Sequence, residues 1–214
     1  MTNSIASKIR SLPTEREDFY PEFDGKPMAE TDVHLNLMLD TIKMLKTYFR
    51  PHPDVYVSGN LLLYYQKGNP EKSVAPDVFV VFGVPNKQRR TYRLWEEGKG
   101  PDFVLELASK TTYRQDVGKK KRLYARVLGV TEYFLYDPDH RYLRPPLQGY
   151  RLVEGIYAPI APVGGRLPSE VLGLALGLKG GTLGLYEPNL LEWLFTPDET
   201  DKALRQEVQA RQQA

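Results

Sequence analysis

The 214-residue sequence has no cysteine and only three histidines. Without thiols there is no disulfide, no thiolate metal site and no cysteine nucleophile, so a metal would have to be held by oxygen or imidazole. No run of about 18 apolar residues occurs, and the opening MTNSIASKIRSLPTERED lacks the apolar stretch of a secretory signal. The expectation is a soluble, cytoplasmic protein with no membrane partner. A strong charge imbalance is missing too: the net charge of +2 does not by itself announce a nucleic-acid binder. There is no phosphate-cradling glycine loop, serine nucleophile elbow or paired-histidine metal motif.

What is present reads as one globular domain. Hydrophobic residues make up 41% and charged residues 26%, with no low-complexity tract. Charge is unevenly spread. Residues 1–40 hold eight acidic and four basic side chains, whereas 110–126 hold seven basic ones against Asp116 alone. That local excess suits a phosphate-bearing ligand or, equally, a solvated helix face.

Residues 1–29 read as an irregular lead-in. Thr31 or Asp32 can cap a helix whose apolar stripe runs Val33, Leu37, Met38, Thr41, Leu45 and Tyr48, ending near Phe49 because Pro51 and Pro53 cannot continue it. DVYVSGNLLLYY predicts two strands around a tight Gly59-Asn60 turn. VAPDVFVVFGV and FVLELAS predict apolar central strands. From Tyr113 to Leu128 the pattern fits a helix with Val117, Leu123, Tyr124 and Val127 or Leu128 inward, closed by Gly129 and followed by the strand EYFLYDP. Strand, helix, strand with short joints makes FVLELAS and EYFLYDP parallel neighbours. Hairpin-like segments follow, and residues 196–214 form a polar helix or tail with Leu204 and Val208 as its larger apolar residues. That helix either frays or completes its face against a second copy.

Two carboxylates stand in the two most apolar strands: Asp77, after Pro76, and Glu106. An ionised carboxylate there is costly unless paired, hydrogen-bonded or metal-bound. If the strands are adjacent, the two can converge on one divalent cation, with the main-chain carbonyl of Leu107 and waters completing an oxygen shell that suits Mg2+, with Mn2+ as a substitute. The alternative is that Asp77 caps a turn and Glu106 pairs with a nearby lysine. Two acids beside a cationic helix are also the parts that phosphodiester cleavage requires.

PDVFVVFGV, PDFVLELASKTT, the set Asp116, Lys120, Tyr124, and LGVTEYFLYDP together resemble the putative restriction endonuclease family of the PD-(D/E)xK nuclease superfamily, from about Glu30 to Leu178. The resemblance implies an α/β fold with an αβββαβ core, a mixed central sheet, additional β-hairpins and a C-terminal helix, with 30–195 as the nuclease domain. It also implies metal-dependent endonuclease activity, on DNA as the expected nucleic acid, with Asp77 and Glu106 as metal ligands. The chain departs from the superfamily pattern at Ala108, where a lysine would stand, and the resemblance supplies the missing cation as Lys120 from the following helix. Lys110 is a rival. Glu30, His34 and Ser109 become candidate near-site groups, each with an ordinary structural use: a dipole-favouring Glu beside a surface His, and a strand-end hydroxyl. Arg89, Arg90, Lys119 and Lys121 are candidate nucleic-acid contacts or solvated cations. Homodimerisation is a further expectation. Against the enzyme stand a nucleic-acid-binding or self-associating module that has lost turnover, and a structural dimer without nucleic acid.

Overall fold

Thr31 sets the start of the first helix, α1 (Asp32–Tyr48): its Oγ1 accepts the His34 N–H at 3.2 Å. The computed structural model describes residues 20–23, 25 and 31–213. Most of the lead-in, Glu30 included, therefore lies outside the described residues. The buried stripe of α1 is His34, Leu37, Met38, Thr41, Met44 and Leu45. Val33, expected in that stripe, is 59% exposed, and His34 takes the inward place beside it. Leu37, Met38, Thr41 and Leu45 lie in the stripe as expected; its first turn is filled by His34, whose imidazole is directed to a carboxylate described below.

The strands are β1 (Val55–Ser58), β2 (Leu63–Tyr64), β3 (Ser73–Val74), β4 (Val78–Phe82) and β5 (Tyr92–Arg93), which runs into the short helix α2 (Leu94–Glu97). After β6 (Phe103–Leu107) comes a helix, α3 (113–128), then β7 (Glu132–Tyr136), β8 (Leu147–Val153) and β9 (Ile156–Pro159). A further meander, β10 (Leu167–Ser169), β11 (Leu174–Lys179), β12 (Thr182–Glu187) and β13 (Glu192–Trp193), leads to the C-terminal helix α4 (Pro197–Gln213). The main sheet has the order β1-β4-β6-β7-β8-β9, with β6 and β7 parallel and every other pair antiparallel. Its first four strands with α1 and α3 make the αβββαβ core. Two smaller sheets, β3-β2-β5 and β10-β11-β12-β13, flank it.

Alternation along the strands divides the core into two faces. Val78, Val80, Phe103, Leu105 and Leu107 pack with Leu37, Met38 and Leu45 of α1 and with Leu174, Leu176 and Leu185 of the second sheet. Phe79, Val81, Val104, Ala108, Tyr133 and Leu135 pack on the other face with Tyr124 and Leu128 of α3. Glu106 lies between Leu105 and Leu107 and so points to the α3 side.

Helix α3 alternates α-helical turns with π-helical ones at Asp116–Lys120 and Tyr124–Leu128. In a pure α-helix, every fourth residue drifts by about 40° around the axis, so a stripe at strict spacing of four would wind away from the sheet. The wider π turns rotate it back. Asp116, Tyr124 and Leu128 are consequently all buried, with Lys120 half-buried between them. Val117, expected inward on α-helical spacing, is 44% exposed for the same reason, and of the alternatives Val127 and Leu128 it is Leu128 that is buried. Gly129 ends the helix in the left-handed conformation at φ 62°.

The predicted β1–β2 hairpin does not form. β1 pairs with β4, and β2 pairs with β3 and β5 in a different sheet. Asn60 does adopt φ +47°, but the segment serves another end. Its N–H donates to the Pro76 carbonyl at 2.8 Å, and a Cβ on Gly59 would lie 2.0 Å from the Asp77 carbonyl oxygen. Glycine is required by the close passage of 59–60 against 76–77. The expected outcome for Gly59→Ala is a loss of about 1–3 kcal/mol, the usual cost of overpacking, together with displacement of Asp77. A thermal melt unchanged from the parent would contradict this reading of the contact.

Candidate active site

Adjacent strands bring Asp77 and Glu106 together. Val78 is in register with Leu105, which puts the residue before β4 beside the last residues of β6. The Leu107 N–H donates to Asp77 Oδ2 at 2.7 Å, and His34 Nε2 lies 3.5 Å from Asp77 Oδ1. The first turn of α1 thus carries the His34 imidazole to the Asp77 carboxylate. Glu106, wholly buried, accepts from the Tyr124 hydroxyl on Oε1 at 2.5 Å and from the Lys120 ammonium on Oε2 at 3.0 Å. The same ammonium is 2.9 Å from Asp116 Oδ1. Glu106 and Asp116 side chains are 0% and 1% exposed, whereas those of Asp77 and Lys120 reach 16% and 20%. The cluster therefore meets solvent through Asp77 and Lys120.

Three carboxylates share one certain cation, and the acid strengths follow. Burial first, then the charges of Asp77 and Asp116, push Glu106 up to about 8 against the pull of Lys120 and Tyr124. Burial and the Asp77 charge likewise raise Asp116 in spite of Lys120. Asp77 moves the other way: burial opposes its ionisation, but the His34 hydrogen bond, the Lys120 charge and the Leu107 N–H outweigh it and hold the group below the usual carboxylate range. Burial also works against a charged Lys120, yet Glu106, Asp116 and Asp77 together hold its ammonium above the ordinary lysine range. Lys120 is consequently a fixed positive charge and not a proton acceptor near neutrality.

Two other buried carboxylates, Glu132 on β7 and Asp137 just after it, show what a satisfied acid looks like. Glu132 accepts from Arg151, from the Glu170 N–H and from the Ser169 hydroxyl, tying the main sheet to β10. Asp137 accepts three main-chain N–H groups, from Asp139, Tyr142 and Leu143. Neither is left in a cluster of like charge.

The remaining sequence candidates fall differently. Ser109 exchanges hydrogen bonds with Thr112, its N–H going to Thr112 Oγ1 at 3.1 Å and its hydroxyl 2.8 Å from the same oxygen, so it organises the turn into α3. His34, weighed as a surface residue, is buried and against Asp77. Arg89 makes two bonds of 2.8 Å to Glu97 with its guanidinium over the Tyr56 ring, and its side chain is only 3% exposed. Its Nη1 also donates to the carbonyls of Pro85 and Lys87, so most of its donors are used within the fold. Arg90, 82% exposed, pairs with Glu22. Lys121 lies over the Tyr150 ring at 3.1 Å, and Lys119 is exposed. Lys110, exposed beyond the end of β6, makes no ion pair with the carboxylate cluster.

The model of the family Uma2, described as Putative restriction endonuclease, matches residues 7–183. The chain belongs to the Uma2 family. No curated protein matches this Uma2 chain. A solved structure, described as a putative nuclease belonging to DUF820 from Anabaena variabilis ATCC 29413, is similar at 16% identity and TM-score 0.49, covering 71% of this chain and 81% of that one.

Asp116 and Tyr124 of this Uma2 protein enter the pocket without having been singled out as site groups from the sequence. The signal was their spacing of four on either side of Lys120, which carried the family resemblance and placed Lys120 but was not extended to these two residues as site groups. Among the described residues, no group of three or more acidic, histidine or cysteine side chains is poised as a ready-made metal cage.

The raised Glu106 carboxyl gives a pH dependence with a definite sign. An unfolded glutamate loses its proton near 4.5, while the folded one keeps it to about 8, so the native state binds more protons in that window and stability falls as pH rises through it. In chelator, the melting temperature of the parent should decline from about pH 5 to pH 8 relative to Glu106→Gln. Parallel pH profiles for the two proteins would contradict the assignment.

Proposed function

We propose that this protein hydrolyses phosphodiester bonds in nucleic acid, with DNA as the expected substrate, using a divalent cation held by Asp77 and Glu106. The observation that carries this reading is the arrival of Lys120 from α3 at 3.0 Å from Glu106, replacing the cation that Ala108 does not supply. Ala108 is buried beside Tyr124 in the same packed face, and its small side chain suits the close approach of α3.

The donor set fits magnesium or manganese. Mg2+ is commonly held by one or two carboxylates together with substrate phosphates, not by a full protein cage. Asp77 and Glu106 are hard oxygen donors on adjoining strands, and a divalent charge would offset the excess of acids over cations in the pocket. Leu107 turns its N–H to Asp77, and the carbonyl of an extended residue lies on the same strand edge as its N–H, which favours that oxygen as a third donor. When bound, the cation supplies Lewis-acid polarisation of the phosphoryl group and a more acidic attacking water.

The chain's own groups do the rest. His34 and the Leu107 N–H keep Asp77 ionised and aimed. Tyr124 holds Glu106 through Oε1. Lys120, fully charged, sits where negative charge grows on the phosphoryl oxygens and stabilises it electrostatically.

Purified protein with Mg2+ or Mn2+ is expected to cleave DNA. Asp77→Asn should abolish this with the fold intact, and Lys120→Met should lower the rate by about 100- to 1,000-fold. Cleavage undiminished in Asp77→Asn would sink the assignment. DNA association without binding of either metal would favour a module that has lost turnover.

A further inference from the structure

Two segments leave the same end of the main sheet beside the carboxylate pocket. Strand β6 passes into the turn 109–112 and α3, and β7, whose Tyr136 is in register with Leu107, passes into the loop 137–146. Both segments are stiffened from within. Ser109 and Thr112 bond to each other at the head of α3, and the buried Asp137 carboxylate gathers the N–H groups of Asp139, Tyr142 and Leu143. The segments also bind to one another, because the Tyr113 and Tyr142 rings stack at 5.3 Å and 25°.

The two segments carry four exposed cations: Lys110 and Arg114 on one, Arg141 and Arg144 on the other. Among the described residues no carboxylate pairs with any of them, in contrast to Arg89, Arg93, Lys99, Arg151 and Lys179, which all have acidic partners. Two of them are held by neutral groups. Arg144 Nη1 donates to the carbonyls of His140 and Leu143 at 2.6 and 2.9 Å, and Arg114 Nε donates to the Tyr113 hydroxyl at 3.0 Å. The charges of Arg114 and Arg144 are thus positioned without an acidic partner among the described residues.

We propose that Lys110, Arg114, Arg141 and Arg144 form a track for the phosphodiester backbone of the nucleic acid, leading to the Asp77, Glu106 and Lys120 pocket. The proposal rests on the nuclease reading of that pocket and extends it to substrate positioning. Guanidinium groups offer paired donors to phosphate oxygens, and such contacts fix register without reading sequence. An acidic protein surface could also meet four cations, but the pocket at the same sheet end acts, on the reading above, on phosphate esters.

The test separates binding from cleavage. Affinity for a fluorescein-labelled DNA duplex is measured by anisotropy, in chelator and across a salt series, for Asp77→Asn and for the same protein carrying Arg114→Ala and Arg141→Ala. Loss of two phosphate contacts should weaken binding about tenfold and reduce the slope of log affinity against log salt by about 0.9 per contact. Arg114→Lys with Arg141→Lys should restore most of that slope. A control pair, Arg205→Ala and Arg211→Ala on α4, removes the same charge from residues paired with Asp201 and Glu207 and should change little. An unchanged slope in the first pair, equal weakening by the control, or no DNA binding by the parent overturns the track. Failure of wild-type cleavage with an intact slope change would fault the nuclease reading and leave the track standing.

Discussion

The shared ammonium of Lys120 is the interaction on which the pocket depends. Glu106 is sealed from solvent, Asp116 nearly so, and Asp77 lies beside them; removing the single lysine would leave three acids in low dielectric with no certain counter-charge. Breaking a buried ion pair of this kind costs about 3–5 kcal/mol, because the abandoned charge has nowhere to go. Fully satisfied acids nearby, Glu132 and Asp137, show that the fold is able to neutralise a buried carboxylate completely when that is the requirement. Around Glu106 one ammonium is shared among three acids, and the cluster reaches solvent through Asp77 and Lys120; the proposed cation site rests on that imbalance.

The surrounding structure is shaped to permit this one meeting. Alternating α and π turns keep Asp116, Lys120, Tyr124 and Leu128 on one side of α3, Tyr133 donates to the Asp116 carbonyl at 3.0 Å, and its ring lies 5.1 Å from that of Tyr124. On the opposite flank, Gly59 lets one chain segment pass against the Asp77 main chain, and Thr31 fixes the turn that carries His34. Residues from α1, from the approach to β4, from β6 and from α3 thereby meet at one end of the sheet.

Much of this was legible in the sequence, for identifiable reasons. Apolar runs interrupted by single acids marked β4 and β6 and their carboxylates, and the short strand–helix–strand joint gave the parallel β6–β7 pair. The inward face of α3 was read in part: Tyr124 and, of the pair Val127 or Leu128, Leu128 are buried, but Val117 was placed on the wrong side because a spacing rule of 3.6 does not anticipate π turns. His34 could not be separated from a surface histidine, since its burial depends on Asp77, 43 residues away in sequence, and not on any local pattern. The Gly59-Asn60 turn was misassigned because the dipeptide signals a turn but not which strands it joins. Arg89 gave no local sign that Glu97 would claim it.

The most direct measurement is the location of manganese by its anomalous scattering in crystals of the wild-type protein. The account predicts one ion coordinated by both the Asp77 and Glu106 carboxylates, with the Lys120 ammonium retained against Asp116. Manganese bound elsewhere, or ligated by neither carboxylate while Lys120 keeps its bridge between Glu106 and Asp116, would contradict it.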